Sequence, residues 1–491
     1  MRIIRLPLLI IGLLALGALA SGCGNLIGVG GGVSCVVQGD GAPNCFGANG
    51  SGQAGHAAGT TPANPGAVAL PKGYKTADVS AGEGSANGLA TVCAVAGKAG
   101  SQSGQVYCWG DDTGGLLGRG SAGAASATPI KVPLGVGNSA SGVSVGGTLA
   151  CVLLGGAGAG ASCWGTQLGA GITGPTVVTG TAELKTSDGA TSSPSLLAVG
   201  QSHACAGVAT KLVCWGAGTA GQLGNAASAD SAAPVVVALP KAIDSVGELA
   251  AGGASTCVVA TEKGGSSSQT VWCWGAIAAS NAPTRVVIPG GREASHVSVG
   301  LNHACAVAND STVWCWGANE SGQLGNGTQT ASATPVAVAG FEATLVGAGQ
   351  DQSCASDTGG HLRCWGSNAQ GQLGRTGTSL SATALTVPGI SGLRTPQPKK
   401  ATAKGVAAVG STLTATSAPW QFAAGYTYQW QRRNAKGEWV DIANASKQQL
   451  RLRTNLAGTS VRVNITGTNA WTEAGVVLSE SRASGARLVA G

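Results

Sequence analysis

Fourteen of the fifteen cysteines in this chain fall into seven close pairs. They are Cys35 and Cys45, Cys93 and Cys108, Cys151 and Cys163, Cys205 and Cys214, Cys257 and Cys273, Cys305 and Cys315, and Cys354 and Cys364. Thiols at such spacing can ligate a metal, act as nucleophiles or oxidise to disulfides. Zinc sites favour Cys-x-x-Cys or cysteine with regularly spaced histidine. No Cys-x-x-Cys occurs here, and the five histidines do not accompany the pairs systematically. Disulfide chemistry remains, and a hairpin is the element that would position it. With Cys305 opposite Cys315, Ala306 faces Trp314, Val307 faces Val313 and Ala308 faces Thr312. That leaves Asn309-Asp310-Ser311 as a three-residue loop. Thr358-Gly359-Gly360 and Gly39-Asp40-Gly41 play the same part in two other pairs, and all three suit short hairpin turns. Facing strand positions bring side chains close enough for a disulfide.

The compartment agrees with oxidation. "MRIIRLPLLIIGLLALGALASGC" has two arginines, an apolar run shorter than a membrane span, then small residues, which is the pattern of an export signal over 1–22. Ala20-Ser21-Gly22-Cys23 resembles the bacterial lipobox, with Ala where Leu is commoner. The resemblance implies that Cys23 is diacylated, becomes the mature N-terminus and tethers the protein to a membrane. Gly24, rather than Asp, points to the outer membrane or cell surface. Setting Cys23 aside leaves no odd cysteine, and disulfides persist outside the cytosol.

Every second cysteine but one is followed by Trp-Gly, and the exception reads Cys45-Phe46-Gly47. Around each signature an apolar run, the first cysteine, a hairpin, Cys-Trp-Gly and a glycine turn recur, with a period near fifty that fits propeller blades, solenoid turns or tandem domains. "HACAV" and "VWCWGANESGQLGNG", echoed by "HACAGV" at 203–208 and "CWGSNAQGQLG" at 364–374, resemble the regulator of chromosome condensation repeat. That resemblance, over residues 23–390, implies an all-β, seven-bladed β-propeller with one disulfide per blade. The tryptophans would then be core between blades. Repeat five lacks Gly-Gln-Leu-Gly, while repeats one, two and three carry "GQAG", "GLLG" and "TQLG", so their connecting loops should differ.

Residues 391–404 read as a linker, basic and proline-containing at "GLRTPQPKKATAK". From 405 to 491, "VGSTLTATSAPW", "YTYQWQRR" and "VRVNITGTN" alternate apolar and polar residues at the strand period. They resemble bacterial immunoglobulin-like modules, which implies a C-terminal β-sandwich with Trp430 in its core. Residues 394–491 hold 13 Lys and Arg against 4 Asp and Glu, whereas 23–393 hold 13 against 17. The basic excess is read as solvated sandwich faces, so no nucleic-acid partner is expected.

Nothing assembles a catalytic constellation, a cofactor site or a metal site. No GxxxxGK[ST] stretch occurs. His203 and His303 hold equivalent repeat positions and so belong to different blades. His56, His296 and His361 stand without a recognisable partner, and Asp111-Asp112 reads as a solvated loop. The expected function is non-catalytic: a lipid-anchored cell-envelope protein whose propeller loops bind a protein or surface glycan. The segments 97–105, 179–195 and 261–270 are its most variable stretches. The alternative is an inhibitor docking on an exported enzyme such as a β-lactamase or penicillin-binding protein, as one exported bacterial propeller of this family does.

Overall fold

The computed structural model describes residues 26–483, except 40, 60–63, 85–88, 99–103, 157–158, 167–171, 182–183, 186–190, 264–268, 392, 394–400, 405–409, 418–424, 435–438, 443–444, 446, 457–458 and 469–479. The export signal and Cys23 lie outside the described residues.

Seven four-stranded antiparallel sheets, each of strands consecutive in sequence, occupy 27–67, 74–131, 138–177, 196–236, 243–286, 294–337 and 343–386. In blade six the strands are Ala294–Val299, His303–Ala308, Val313–Gly317 and Ser332–Ala337. Cys305 pairs with Cys315, Ala306 with Trp314 and Val307 with Val313. The first strand of every blade touches the first strand of the next, and that of blade seven touches that of blade one. The sheets therefore form a closed seven-bladed β-propeller. A disulfide ties the second strand to the third in each blade: Cys35–Cys45, Cys93–Cys108, Cys151–Cys163, Cys205–Cys214, Cys257–Cys273, Cys305–Cys315 and Cys354–Cys364.

The core lies between blades. Trp109, Trp164, Trp215, Trp274, Trp316 and Trp365, with Phe46 in blade one, are fully buried. Trp365 packs with Cys305, Cys315, Leu324 and Val338 of the preceding blade. Its indole N–H donates to the Gln323 carbonyl at 2.8 Å. Trp109, Trp164 and Trp274 donate likewise to Gln53, Leu116 and Gln222. The Gly-Gln-Leu-Gly turn is thus an acceptor cradle for the next blade's tryptophan. Its Gln Oε1 accepts the N–H two residues back, as Gln323 does from Ser321 at 2.9 Å, and its leucine points inward. The closing Gly325 has φ +66, and a Cβ there would stand 2.7 Å from Trp365 Nε1. In Cys-Trp-Gly, Gly317 has φ +109, and its Cβ would meet the Asn302 carbonyl at 2.5 Å.

Departures from the repeat leave the blades intact. Blade one, whose loop was expected to differ, keeps the turn, with Gln53 Oε1 accepting the Ser51 N–H at 2.8 Å. The blade-three turn at 167–169 lies outside the described residues. In blade five, Ala276–Ala278 forms a 3-10 turn ending at Ala279 with φ +48. Blade two keeps the cradle carbonyl on Leu116. Among the described residues, the buried Trp215 Nε1 has no partner.

In the C-terminal region, Ala401–Lys404, Thr412–Ser417 and Gln449–Arg451 form one sheet. Trp439–Asp441, Gly425–Arg433, Val461–Thr468 and Glu480–Ala483 form another. Ala401–Lys404 thus carries a strand within the stretch expected as linker, paired with Thr412–Ser417. Trp430 is fully buried, with Nε1 donating to the Lys447 carbonyl at 3.0 Å. No helix among the described residues is long and apolar enough to cross a membrane.

Candidate functional site

An antiparallel four-stranded blade has two ends. The connections between strands one and two and between three and four lie at one end. The second-to-third hairpins and the links to the next blade lie at the other.

At the first end, seven inner turns meet around the ring axis. Each blade's first strand is an edge, whose free N–H groups need partners. The preceding blade supplies them: Ser80 Oγ accepts from Val145, Ser144 Oγ from Val199 and Ser298 Oγ from Ala348, each at 3.0 Å. Asp78 accepts from Val143 at 2.7 Å and Glu248 from Val297 at 3.1 Å. His203 and His303 belong to this clasp. Each Nε2 meets a hydroxyl of the next blade at 2.8 Å, Thr256 and Ser353 respectively. Those hydroxyls donate back to Gln222 and Gln323. Burial lowers both histidine pKa values to about 4, so the rings are neutral. Their role is structural, since they hold separate blade junctions.

His296 has partners that its local sequence does not show. Its Nδ1 lies 2.5 Å from Glu248 Oε1 of blade five, and its Nε2 lies 2.8 Å from the Val346 carbonyl of blade seven. Burial opposes its charge, but Glu248 and the Val346 carbonyl outweigh that and raise its pKa. The partner stands about one repeat away, which is why no local motif revealed it. Asp112 also departs from expectation: it is buried, not solvated. Its oxygens accept from Leu117 and Gly123 and meet Arg119 Nη2 at 2.8 Å. Asn319 and Asn368 hold the equivalent place in blades six and seven, each accepting from the turn leucine and donating into the loop that follows. An aspartate there cannot donate, and Arg119 supplies the compensating charge.

The second end carries arginine, aromatic and carboxylate clusters in blades five, six and seven. Arg292 sits 5.2 Å over the Trp314 ring and 2.7 Å from Asp310. Hydrogen bonds from Thr312 and then Arg292 lower the Asp310 pKa to about 2. Arg363 sits 5.2 Å over Phe341 and 3.0 Å from Asp357. Burial pushes Asp357 upward, but the His361 backbone N–H and the Arg363 guanidinium outweigh it and leave its pKa lowered. Arg285 meets Glu262 at 3.1 Å beside Trp272, whose indole donates to Thr270. The hairpins of 97–105 and 261–270 and the inter-blade link 179–195 also emerge here. Of these, 99–103, 264–268, 182–183 and 186–190 lie outside the described residues. Among the described residues, no three His, Cys, Asp or Glu side chains gather in a metal-holding group.

Two models of the regulator of chromosome condensation repeat match the chain, one at residues 103–153 and 310–356, the other at 294–323. The chain therefore carries these repeats within its seven-bladed propeller. No curated protein matches it. Among solved structures, it is similar to Prp20p from Saccharomyces cerevisiae at 17% identity and TM-score 0.56, over 72% of this chain and 87% of that one. Human WBSCR16 is similar at 17% and 0.54, over 70% and 87%. Yeast RCC1 (Prp20) in its complex with Kap60 is similar at 17% and 0.56, over 76% and 86%. At that identity the likeness establishes the fold alone.

Proposed function

We propose that this protein is an exported lipoprotein, tethered to the cell envelope through Cys23, whose propeller binds a protein or surface glycan without catalysis. The reading divides it into a signal over 1–22, a propeller over 23–390, a linker over 391–404 and an immunoglobulin-like module over 405–491. Buried Trp430 and the two C-terminal sheets support the last assignment. One observation carries the binding proposal: the length-variable connections and the arginine–aromatic clusters of blades five to seven share one end of a rigid ring. Recognition is commonly built on loops held by such a scaffold, with tryptophan and arginine as anchors. Prp20p, which shares the fold, was described with its binding to Gsp1p and histones.

The test captures partners from envelope extracts on wild-type protein and on Arg292→Ala/Trp314→Ala. Loss of a partner that wild type retains, with the disulfide-bonded fold intact, supports the reading. Undiminished capture by the folded variant removes this end as the site. A β-lactamase or penicillin-binding protein as the captured species, inhibited on binding, would make the chain an enzyme inhibitor. Absence of palmitate-analogue labelling on wild type, with Cys23→Ala as control, would overturn the anchor.

A further inference from the structure

In six of the seven blades the first cysteine follows the residue before the inner-turn glycine by a step of six, as from Val145 to Cys151 and from Val299 to Cys305. Blade two takes twelve, from Ala81 to Cys93, and Glu83 stands at the start of the longer turn. From there its side chain reaches a blade that is not its neighbour. Glu83 Oε1 accepts the Gly253 N–H of blade five at 2.6 Å. Other contacts among the inner turns join successive blades: Thr148 to Gln201, Gln201 to Gly253, and Leu301 to Gly349. Gly253 is tied to both sides, since its carbonyl receives Gln201 and a Cβ on it would meet the Leu301 carbonyl at 2.0 Å. Glu83 therefore bridges blades two and five across the axis. It is 7% exposed, and among the described residues, which exclude 85–88 of the same turn, its Oε2 has no partner.

We propose that Glu83 is a proton-controlled crossbar over this end of the ring: protonated, it spans from blade two to Gly253 of blade five, and on ionisation it leaves that amide and uncovers the axis. A buried carboxylate needs several donors or a cation, and among the described residues this one has a single N–H. Among the described residues, Glu83 meets Gly31 and Gly253, and its neighbours Gly82 and Gly84 meet Gly30, Gly146 and Leu89-Ala90, none of which carries a titratable side chain. The turns of blades four and six, on either side of blade five, carry His203 and His303, both neutral. That of blade seven carries Asp351, half-buried, with its pKa raised by burial and by Glu320. Burial raises the Glu83 pKa to about 7, against the lesser effect of the Gly253 bond. The crossbar would therefore change state near neutral pH.

The experiment measures amide-exchange protection at Gly253 in the full chain, corrected for intrinsic exchange, at about pH 5.5 and about pH 8.5. The Leu301 amide, bonded to Gly349, is the control. In wild type, Gly253 protection should fall about tenfold or more across that interval while Leu301 holds. Glu83→Gln keeps the length and the acceptor but cannot ionise, so its protection should stay high at both values. Glu83→Asp is one methylene short and should be unprotected at both. Equal pH dependence in wild type and Glu83→Gln would overturn the crossbar, as would full wild-type protection at the higher pH. If Glu83→Gln fails to fold, the wild-type profile and Glu83→Asp decide: a flat profile or a protected Asp variant overturns it.

Discussion

Trp365 of blade seven and Phe46 of blade one fill equivalent places, yet only the tryptophan donates to the preceding turn. At the closing junction, Ser34 Oγ gives the Gln372 carbonyl its hydrogen bond at 2.9 Å. Ser353 already donates to Gln323 at 3.0 Å beside Trp365. Trp365→Phe should therefore reproduce the blade-one arrangement and cost about 1 kcal/mol. Trp365→Ala should cost about 3–5 kcal/mol through the cavity it leaves. Denaturant unfolding with disulfides intact separates the two, and similar losses would contradict the cradle.

Removing Arg119 leaves the Asp112 carboxylate buried with two backbone donors and no cation. Arg119→Met should cost roughly 1–3 kcal/mol, discounted from a fully buried pair because the arginine is partly exposed. Asp112→Asn added to it restores the residue type used in blades six and seven and should recover most of the loss. A double variant no more stable than the single one would show that the pair does not replace asparagine.

The buried histidines make the ring acid-sensitive. Their folded pKa of about 4 lies below the ordinary 6.5. Their stabilisation is complete above pH 6.5 and is lost as pH falls through 4, on the order of 3 kcal/mol for each ring. Glu83 acts in the opposite sense: its folded pKa is raised, so its contribution is complete below 4.5 and is lost as pH rises through 7. His303→Gln borrows the residue that blade seven uses at that position, where Gln352 donates to the Gly30 carbonyl at 2.7 Å. That variant should lose less stability than wild type between pH 6.5 and 4. Unfolding curves across that interval test it.

Each bridge closes a short loop, so unreduced peptide mapping should recover seven local disulfides and no link between blades. Replacing Cys305 and Cys315 together by Ala should cost roughly 3 kcal/mol in the loop-entropy model. A loss near zero would mean that the hairpin is held by its strand pairing and core alone.

The repeat was legible because its signals are local: Cys-Trp-Gly and Gly-Gln-Leu-Gly each describe a hairpin or turn within a dozen residues. The tryptophan's place between blades was implied by the resemblance to the propeller repeat, in which its bulk fills what a glycine-rich chain leaves open. What escaped were contacts one repeat or more apart. His296 finds Glu248 in the preceding blade, and Glu83 finds Gly253 three blades on. The doubled spacing from Ala81 to Cys93 was the one visible trace of the latter. Asp112 escaped differently: an acidic pair in a glycine turn resembles solvent-facing chain until Arg119 is seen to cover it.

Because each blade is woven from consecutive strands, no strand among the described residues is exchanged at the junction of blades one and seven; packing and a few hydrogen bonds close it, as they do elsewhere. The ring consequently has no privileged seam. Opening the link at 287–293 leaves all seven sheets whole, so the order in which blades are synthesised is separable from the order in which they sit. Such a molecule can be circularly permuted without rewriting a single strand pairing.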